Sequence, residues 1–384
     1  MKNTIYLDHA ATTPVTEAAL AAMLPFFRDC PGNASAVYAN GREARKAVEA
    51  ARKQTAAAIG AEPAEILFTA GGSESDNLAI KGTAFALKDK GRHIITSAIE
   101  HPAVLNTCRW MEKQGFEVTY VAPDRQGRIE PEKITAALRP DTVLISVMAA
   151  NNEVGTVEPA AEIGQIAREH GILFHTDAVQ AVGSIPVNVH EMYADLLSLS
   201  AHKFGGPKGA GALYVRRGTR LDPLIHGGEQ ERGLRAGTEN TAGIVGLGKA
   251  IEDAVNQLTA HAERMAVLRD RLAQGILMNV PGSHLNGSET GRLPNNTSIR
   301  FDGVDGEALL LRLDLAGIAA SSGSACTAGS QKVSHVLRAM GLTEEQAKSS
   351  LRLTVGPENT EEEIDTAVRT VKEIVEDLRK MFHR

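Results

Sequence analysis

Residues 197–211, "LSLSAHKFGGPKGAG", close an apolar run with Lys203 and a cluster of glycines. An ammonium at the end of a buried strand loses hydration. It therefore needs an ion-pair partner, a route to solvent, or a covalent use of its amine. Asp177, at the end of "LFHTDAVQ", poses the same question with opposite sign. A half-buried carboxylate there calls for a lysine, an arginine or a protonated ring nitrogen. Gly71-Gly72-Ser73 forms a strand–glycine–helix turn, which offers backbone N–H groups and a positive dipole end to an anion. Ser73 reads equally as a plain helix cap. The turn matches neither a Walker loop nor G-x-G-x-x-G.

A lysine, an acid and an anion-ready turn are the three parts that pyridoxal phosphate asks for. An apolar setting lowers the lysine's pKa and favours imine formation. His101, between Glu100 and Pro102, could stack on a ring and move protons, or could lie in a surface turn. His202 carries the same ambiguity. Arg352, inside the apolar alternation "SLRLTVG", wants a carboxylate or phosphate, and an ordinary salt bridge would also satisfy it. Cys326 sits in "SSGSACTAGS", where small residues predict an exposed segment and a reactive thiol. Cys30 and Cys108 read as non-catalytic.

These residues share a placement. Apolar or β-branched runs occur at 65–71, 93–100, 117–123, 142–152, 173–180, 195–203 and 211–217, with helical patterns such as "EIGQIAREHG" between several of them. The alternation predicts an α/β fold: a mostly parallel seven-stranded sheet flanked by helices. Polar residues follow five of the runs, and in open parallel sheets ligands collect beyond the carboxyl ends of strands. Five such ends imply one shared pocket. Farther on, Ile244, Leu247, Ile251, Ala254 and Leu258 recur at helical spacing and Met265, Leu268, Leu272 and Ile276 continue it, predicting one long helix between domains. Thr360 and Glu363 fit a capping box before an apolar face of Ile364, Val368, Val371, Val375 and Leu378. The chain divides near residue 260. Residues 15–260 form a large cofactor-binding domain, and residues 1–14 with 261–384 form a smaller α+β domain carrying Cys326.

The 384 residues carry a formal charge of -6 and no long basic run, which argues against nucleic acid as the main ligand. No stretch approaches the ~18 apolar residues of a membrane span. The first residues, "MKNTIYLDHAATTP", lack an apolar signal core. Three dispersed cysteines support neither a disulfide framework nor a metal site, and a cytoplasmic setting fits them.

The chain resembles the cysteine desulfurases, within the class V aminotransferase group of fold-type I pyridoxal phosphate enzymes. The matching motifs run nearly end to end: "YLDHAATTP" at 6–14, "GNASAVYANG" at 32–41, "FTAGGSESDN" at 68–77, "EHPAV" at 100–104 and "NNEVGT" at 151–156. They continue with "HTDAVQAVG" at 175–183, "SLSAHKFGGPKGAGALYV" at 198–215, "ERGLRAGTEN" at 231–240, "SSGSACTAGS" at 321–330 and "LRLTVG" at 351–356. "SSGSAC" is similar to the branch named for NifS and IscS. Three departures stand out. Glu229 replaces a glycine often found before Gln230-Glu231. Ser73 stands where threonine is common. The proline often seen before the serine is missing from "TAGSQKVSHVL".

The resemblance implies that Lys203 binds pyridoxal 5'-phosphate as a Schiff base, Asp177 pairs with its ring nitrogen, Gln180 bonds its phenolic oxygen and His101 stacks on it. Gly72, Ser73, Ser200 and His202 would hold its phosphate, and Thr238 would reach the phosphate of a second subunit in a homodimer. Asn152, beside the cofactor, and Arg352 would hold the substrate carboxylate, and Cys326 would receive sulfur. The implied reaction converts L-cysteine to L-alanine, leaving a persulfide on Cys326 for acceptors in iron–sulfur assembly or tRNA thiolation. Selenocysteine lyase, another class V activity and a non-enzymatic sulfur-relay scaffold are the alternatives.

Overall fold

A computed structural model describes residues 4–322 and 333–382. After a short β1 (Ile5–Tyr6) come seven strands of one sheet. They are β2 (Ile66–Thr69), β3 (His93–Ser97), β4 (Glu117–Val121), β5 (Thr142–Ser146), β6 (Leu173–Asp177), β7 (Leu196–Ser200) and β8 (Gly211–Val215). Their spatial order is β2-β8-β7-β6-β5-β3-β4. Only β8 runs against its neighbours. Every residue of β3, β5 and β7 is buried, as a sheet covered on both faces requires. Each predicted apolar run thus became a strand, and the polar residues of five runs fell at or just beyond the strand ends.

Helices cover both faces. Ala39–Ile59 and Thr241–Asn256 pack so closely that a Cβ on Gly248 would lie 2.6 Å from Ala51 Cα. The predicted long helix is in fact two, Thr241–Asn256 and Leu258–Asn279, broken at Gln257 (φ -103°, ψ 6°). The reason is a change of partner. Ile244, Leu247 and Ile251 pack into the core of the large sheet, whereas Met265, Leu268, Leu272 and Ile276 belong to a second core. Apolar spacing continues across the break because periodicity does not register which surface is being covered.

The second core lies against an antiparallel sheet of β9 (Ser283–Leu285), β10 (Asn296–Phe301), β12 (Ser321–Ser322) and β13 (Ser350–Thr354), in the order β12-β13-β10-β9. Between these strands, β11 (Ile318–Ala319) pairs in parallel with β1. The helix Glu361–Phe382 closes this sheet. Thr360 and Glu363 form the capping box, with Thr360 N donating to Glu363 Oε2 at 3.1 Å and Glu363 N to Thr360 Oγ1 at 3.2 Å. Ile364, Val371, Val375 and Leu378 are buried in the second core together with Leu7. On this packing we propose a boundary near residue 260, with the first residues joining the smaller unit. Val336, Leu337, Met340 and Ala347 nonetheless pack into the core of the larger one.

One buried ion pair ties the large unit together. Arg52 Nη1 and Nη2 donate to the two carboxylate oxygens of Glu231, each at 2.8 Å. Arg52 also donates to Ile66 O at 2.9 Å, and Glu231 accepts from Phe68 N at 3.1 Å. The pair holds two consecutive left-handed residues, Glu231 (φ 46°) and Arg232 (φ 61°), against β2. Arg52→Ala strands a buried carboxylate and is expected to lower stability by about 3–5 kcal/mol. The exposed Arg271, paired with Asp365 and Glu361, should lose under ~1 kcal/mol on the same change. Urea unfolding of both variants checks the contrast.

Candidate active site

A cavity of about 1040 Å³ opens at the carboxyl ends of the parallel strands. Gly71, Gly72 and Ser73 reach it from beyond β2, and His101 from beyond β3. Asn152 enters after β5, Asp177 and Gln180 at and after β6, and Ser200, His202 and Lys203 at and after β7. Arg352 enters from β13 of the second sheet. A smaller cavity of about 550 Å³ lies at the opposite edge and contains none of these residues.

Lys203 ends a short 3-10 turn after β7, and its Nζ donates to Ala10 O at 2.5 Å and Ala11 O at 2.9 Å. Gln180 Nε2 donates to the same Ala10 carbonyl at 3.0 Å. The segment carrying these carbonyls is latched onto the turn. Thr13 N donates to His202 O at 2.8 Å, Gly205 N donates to Thr13 Oγ1 at 2.9 Å, and His202 Nδ1 lies 3.2 Å from Thr12 Oγ1. Burial, with Lys203 and Lys208 adding to it, lowers the His202 pKa to about 4, so the ring is neutral.

Asp177 is buried, and its Oδ1 accepts the Val179 N–H at 2.9 Å. Burial pushes its carboxyl up, while His101, that N–H and Lys203 pull it down. A positive group inside the cavity therefore favours its charged form. The glycine turn is shaped by contact. A Cβ on Gly72 would lie 2.7 Å from Val179 Cγ2, and Gly71 takes φ 147° with Ser200 Oγ alongside. His101 caps the helix Pro102–Lys113, its Nδ1 accepting Ala103 N–H at 3.2 Å. Arg352 donates through Nη2 to Asp8 Oδ1 at 2.9 Å and through Nη1 to Asn152 O at 3.0 Å. Its buried Nε has no hydrogen-bond partner among the described residues.

Two predicted site residues stand apart. Thr238 is exposed and off the cavity wall, and Cys326 lies outside the described residues. Glu229 is likewise exposed and away from the wall. Cys108 is fully buried, with its thiol pushed up to about 12 by burial.

Sequence reasoning missed Asp76, which lines the cavity beside Asp177. Asp76 is buried 3.7 Å from His175 Nε2, and burial first, then Asp177, pushes its carboxyl well up. His175 bonds Ser146 and Ser198 at 2.8 and 3.0 Å, and burial holds it neutral at about 3. A signal existed, because residues two apart on a strand share a face and His175 precedes Asp177 by two.

The amine of Lys203, the acid of Asp177 and the glycine turn converge on one cavity, and their donors and acceptors fit pyridoxal phosphate. Together with the seven-stranded sheet they define a fold-type I pyridoxal phosphate enzyme. The chain belongs to the class V aminotransferase family, whose profile matches residues 5–367. A cysteine desulfurase IscS of Methanosarcina thermophila is 54% identical over 377 residues, covering 98% of this chain and 93% of that protein. A NifS-like protein of known structure aligns with a TM-score of 0.92 at 39% identity, covering 98% of this chain and 100% of that one. SspA in complex with cysteine aligns with a TM-score of 0.83 at 42% identity, covering 93% and 100%.

Two outcomes follow from the site. Gly72→Val forces the turn against Val179 and should weaken pyridoxal phosphate binding by roughly 1–3 kcal/mol, measured as a Kd by absorbance titration. Glu100, at the end of β3, accepts from Ser97 Oγ at 2.5 Å and Met148 N at 3.0 Å, and burial pushes it up to about 8. Between its ordinary value of 4.5 and about 8, the folded protein keeps a proton that the unfolded chain has released. This group's contribution to stability therefore falls as pH rises through that window, by up to about 1.4 kcal/mol per pH unit. Glu100→Gln should flatten the slope, read from urea midpoints at two pH values inside the window.

Proposed function

We propose that this chain is a cysteine desulfurase: L-cysteine and an enzyme thiol give L-alanine and an enzyme persulfide. In balance, the substrate's C–S bond breaks, an S–S bond forms, and the thiol proton ends on the alanine methyl. The observation that carries this reading is the convergence of Lys203 and Asp177 on one cavity in a chain whose close relatives bear that name. When bound, pyridoxal phosphate supplies an aldehyde for the substrate amine and a protonated ring that draws electrons from Cα.

The chain's own residues do the rest. Asp177 keeps the ring nitrogen protonated, and Gln180 bonds the phenolic oxygen. The Gly72 N–H, Ser73, Ser200 and neutral His202 would hold the phosphate, and His101 would stack on the ring. Lys203 Nζ takes the Cα proton, with the carbonyls of Ala10 and Ala11 keeping it in place. Arg352 and Asn152 orient the substrate carboxylate, and Cys326 takes the sulfur. The chain positions flanking its segment support that role: Val333 lines the cavity, and Ser321 pairs in register with Arg352. Thr238, facing solvent, suits a residue that completes the phosphate site of a second subunit in a homodimer. Cytoplasmic acceptors for iron–sulfur assembly or tRNA thiolation would receive the persulfide.

The test is incubation of the purified holoprotein with L-cysteine. Alanine should appear, and the Cys326 peptide should gain one sulfur by mass spectrometry. Cys326→Ser should keep the cofactor absorbance and lose sulfur transfer, whereas Lys203→Ala should lose the covalent cofactor band. A Cys326→Ser protein that still yields alanine from cysteine at the wild-type rate would overturn the assignment of the thiol.

A further inference from the structure

The cavity wall carries a third imidazole, His335, that the reaction leaves idle. His335 opens the helix His335–Ala339, and its Nε2 lies 2.9 Å from the carbonyl oxygen of Glu100, the residue just before His101. A carbonyl only accepts, so Nε2 carries the ring proton. Burial lowers the pKa of His335, with Arg109 adding to the shift and the Glu100 carbonyl opposing it. The ring is therefore neutral, and its Nδ1 is a bare acceptor. The hydrogen bond that the ring makes among the described residues runs through Nε2.

His101 has the opposite polarity. Its Nδ1 accepts the Ala103 N–H, so its Nε2 carries the proton. Burial lowers its pKa as well, with Asp177 opposing the shift and Lys203 and His335 adding to it. Beside neutral His202, two further neutral imidazoles thus line the cavity, His101 with its proton on Nε2 and His335 with its acceptor at Nδ1. The charged or titratable groups around them are Arg109, Asp177, Lys203 and the Glu100 carboxyl.

A thiol is a weak donor through S–H and a weak acceptor through sulfur, so a matched donor and acceptor is the arrangement that recognises it. We propose that His335 Nδ1 accepts the substrate's S–H while His101 Nε2–H donates to its sulfur, making His335 a specificity-determining residue for the thiol. The position is fixed in advance. Ser334, directly before His335, donates to the buried Glu153 carboxylate and caps the helix by accepting Leu337 N–H at 3.1 Å. Such anchoring is what a recognition group requires.

This inference rests on the desulfurase reading, and the experiment separates the two. His335→Gln retains an amide donor toward the Glu100 carbonyl and removes the acceptor at Nδ1. In the holoenzyme, kcat/KM for L-cysteine should fall about tenfold, the loss expected for one hydrogen bond. The Kd for L-alanine, which lacks sulfur, should stay within about twofold when read through cofactor absorbance. Parallel losses for both amino acids would mark His335 as merely structural, and no loss for either would remove it from recognition; both overturn the proposal. If His335→Gln does not retain cofactor, His335→Phe, which keeps a ring and removes both nitrogens, is read by the same comparison. Wild-type protein that makes no alanine from cysteine would sink the desulfurase reading and this inference together.

Discussion

The amine of Lys203 is held by two backbone carbonyls from the other end of the chain, and the site depends on that contact. The carbonyls of Ala10 and Ala11 give the half-buried amine two acceptors. Thr12 and Thr13 fix those carbonyls by gripping the His202 turn. The first residues therefore belong to the site as much as the strand ends do.

The acids beneath the cavity obey a related constraint. Asp76, Asp177 and Glu100 all lie out of water and repel one another, so they cannot all be charged. Burial pushes each of them up. Asp177 alone of the three has Lys203 across the cavity to draw it back, which makes it the acid suited to carry the charge.

Much of this was legible in the amino-acid sequence, for identifiable reasons. Strands buried on both faces read as continuous apolar runs, so all seven stood out, and the polar residues just past them marked the cavity. Contacts made by the backbone leave no such trace. Ala10 and Ala11 hold Lys203 through carbonyls that any residue would supply, and nothing in their side chains announces it. The break at Gln257 was hidden because apolar spacing continues while the surface being covered changes. Asp76 was hidden by its place inside an ordinary helical pattern. Arg352 showed the ambiguity that the sequence left open, since it faces the cavity and is also paired with Asp8.

That last pairing has a consequence for traffic through the cavity. Asp8 is a resident partner of the guanidinium, so any other carboxylate that reached it would gain only the difference between itself and the one already there. The same rival stands ready to retake its place, which shortens the stay of a product that offers nothing beyond a carboxylate. An arginine with a tethered understudy grips briefly by construction, and an enzyme that must empty itself after every cycle is served by a weak hold.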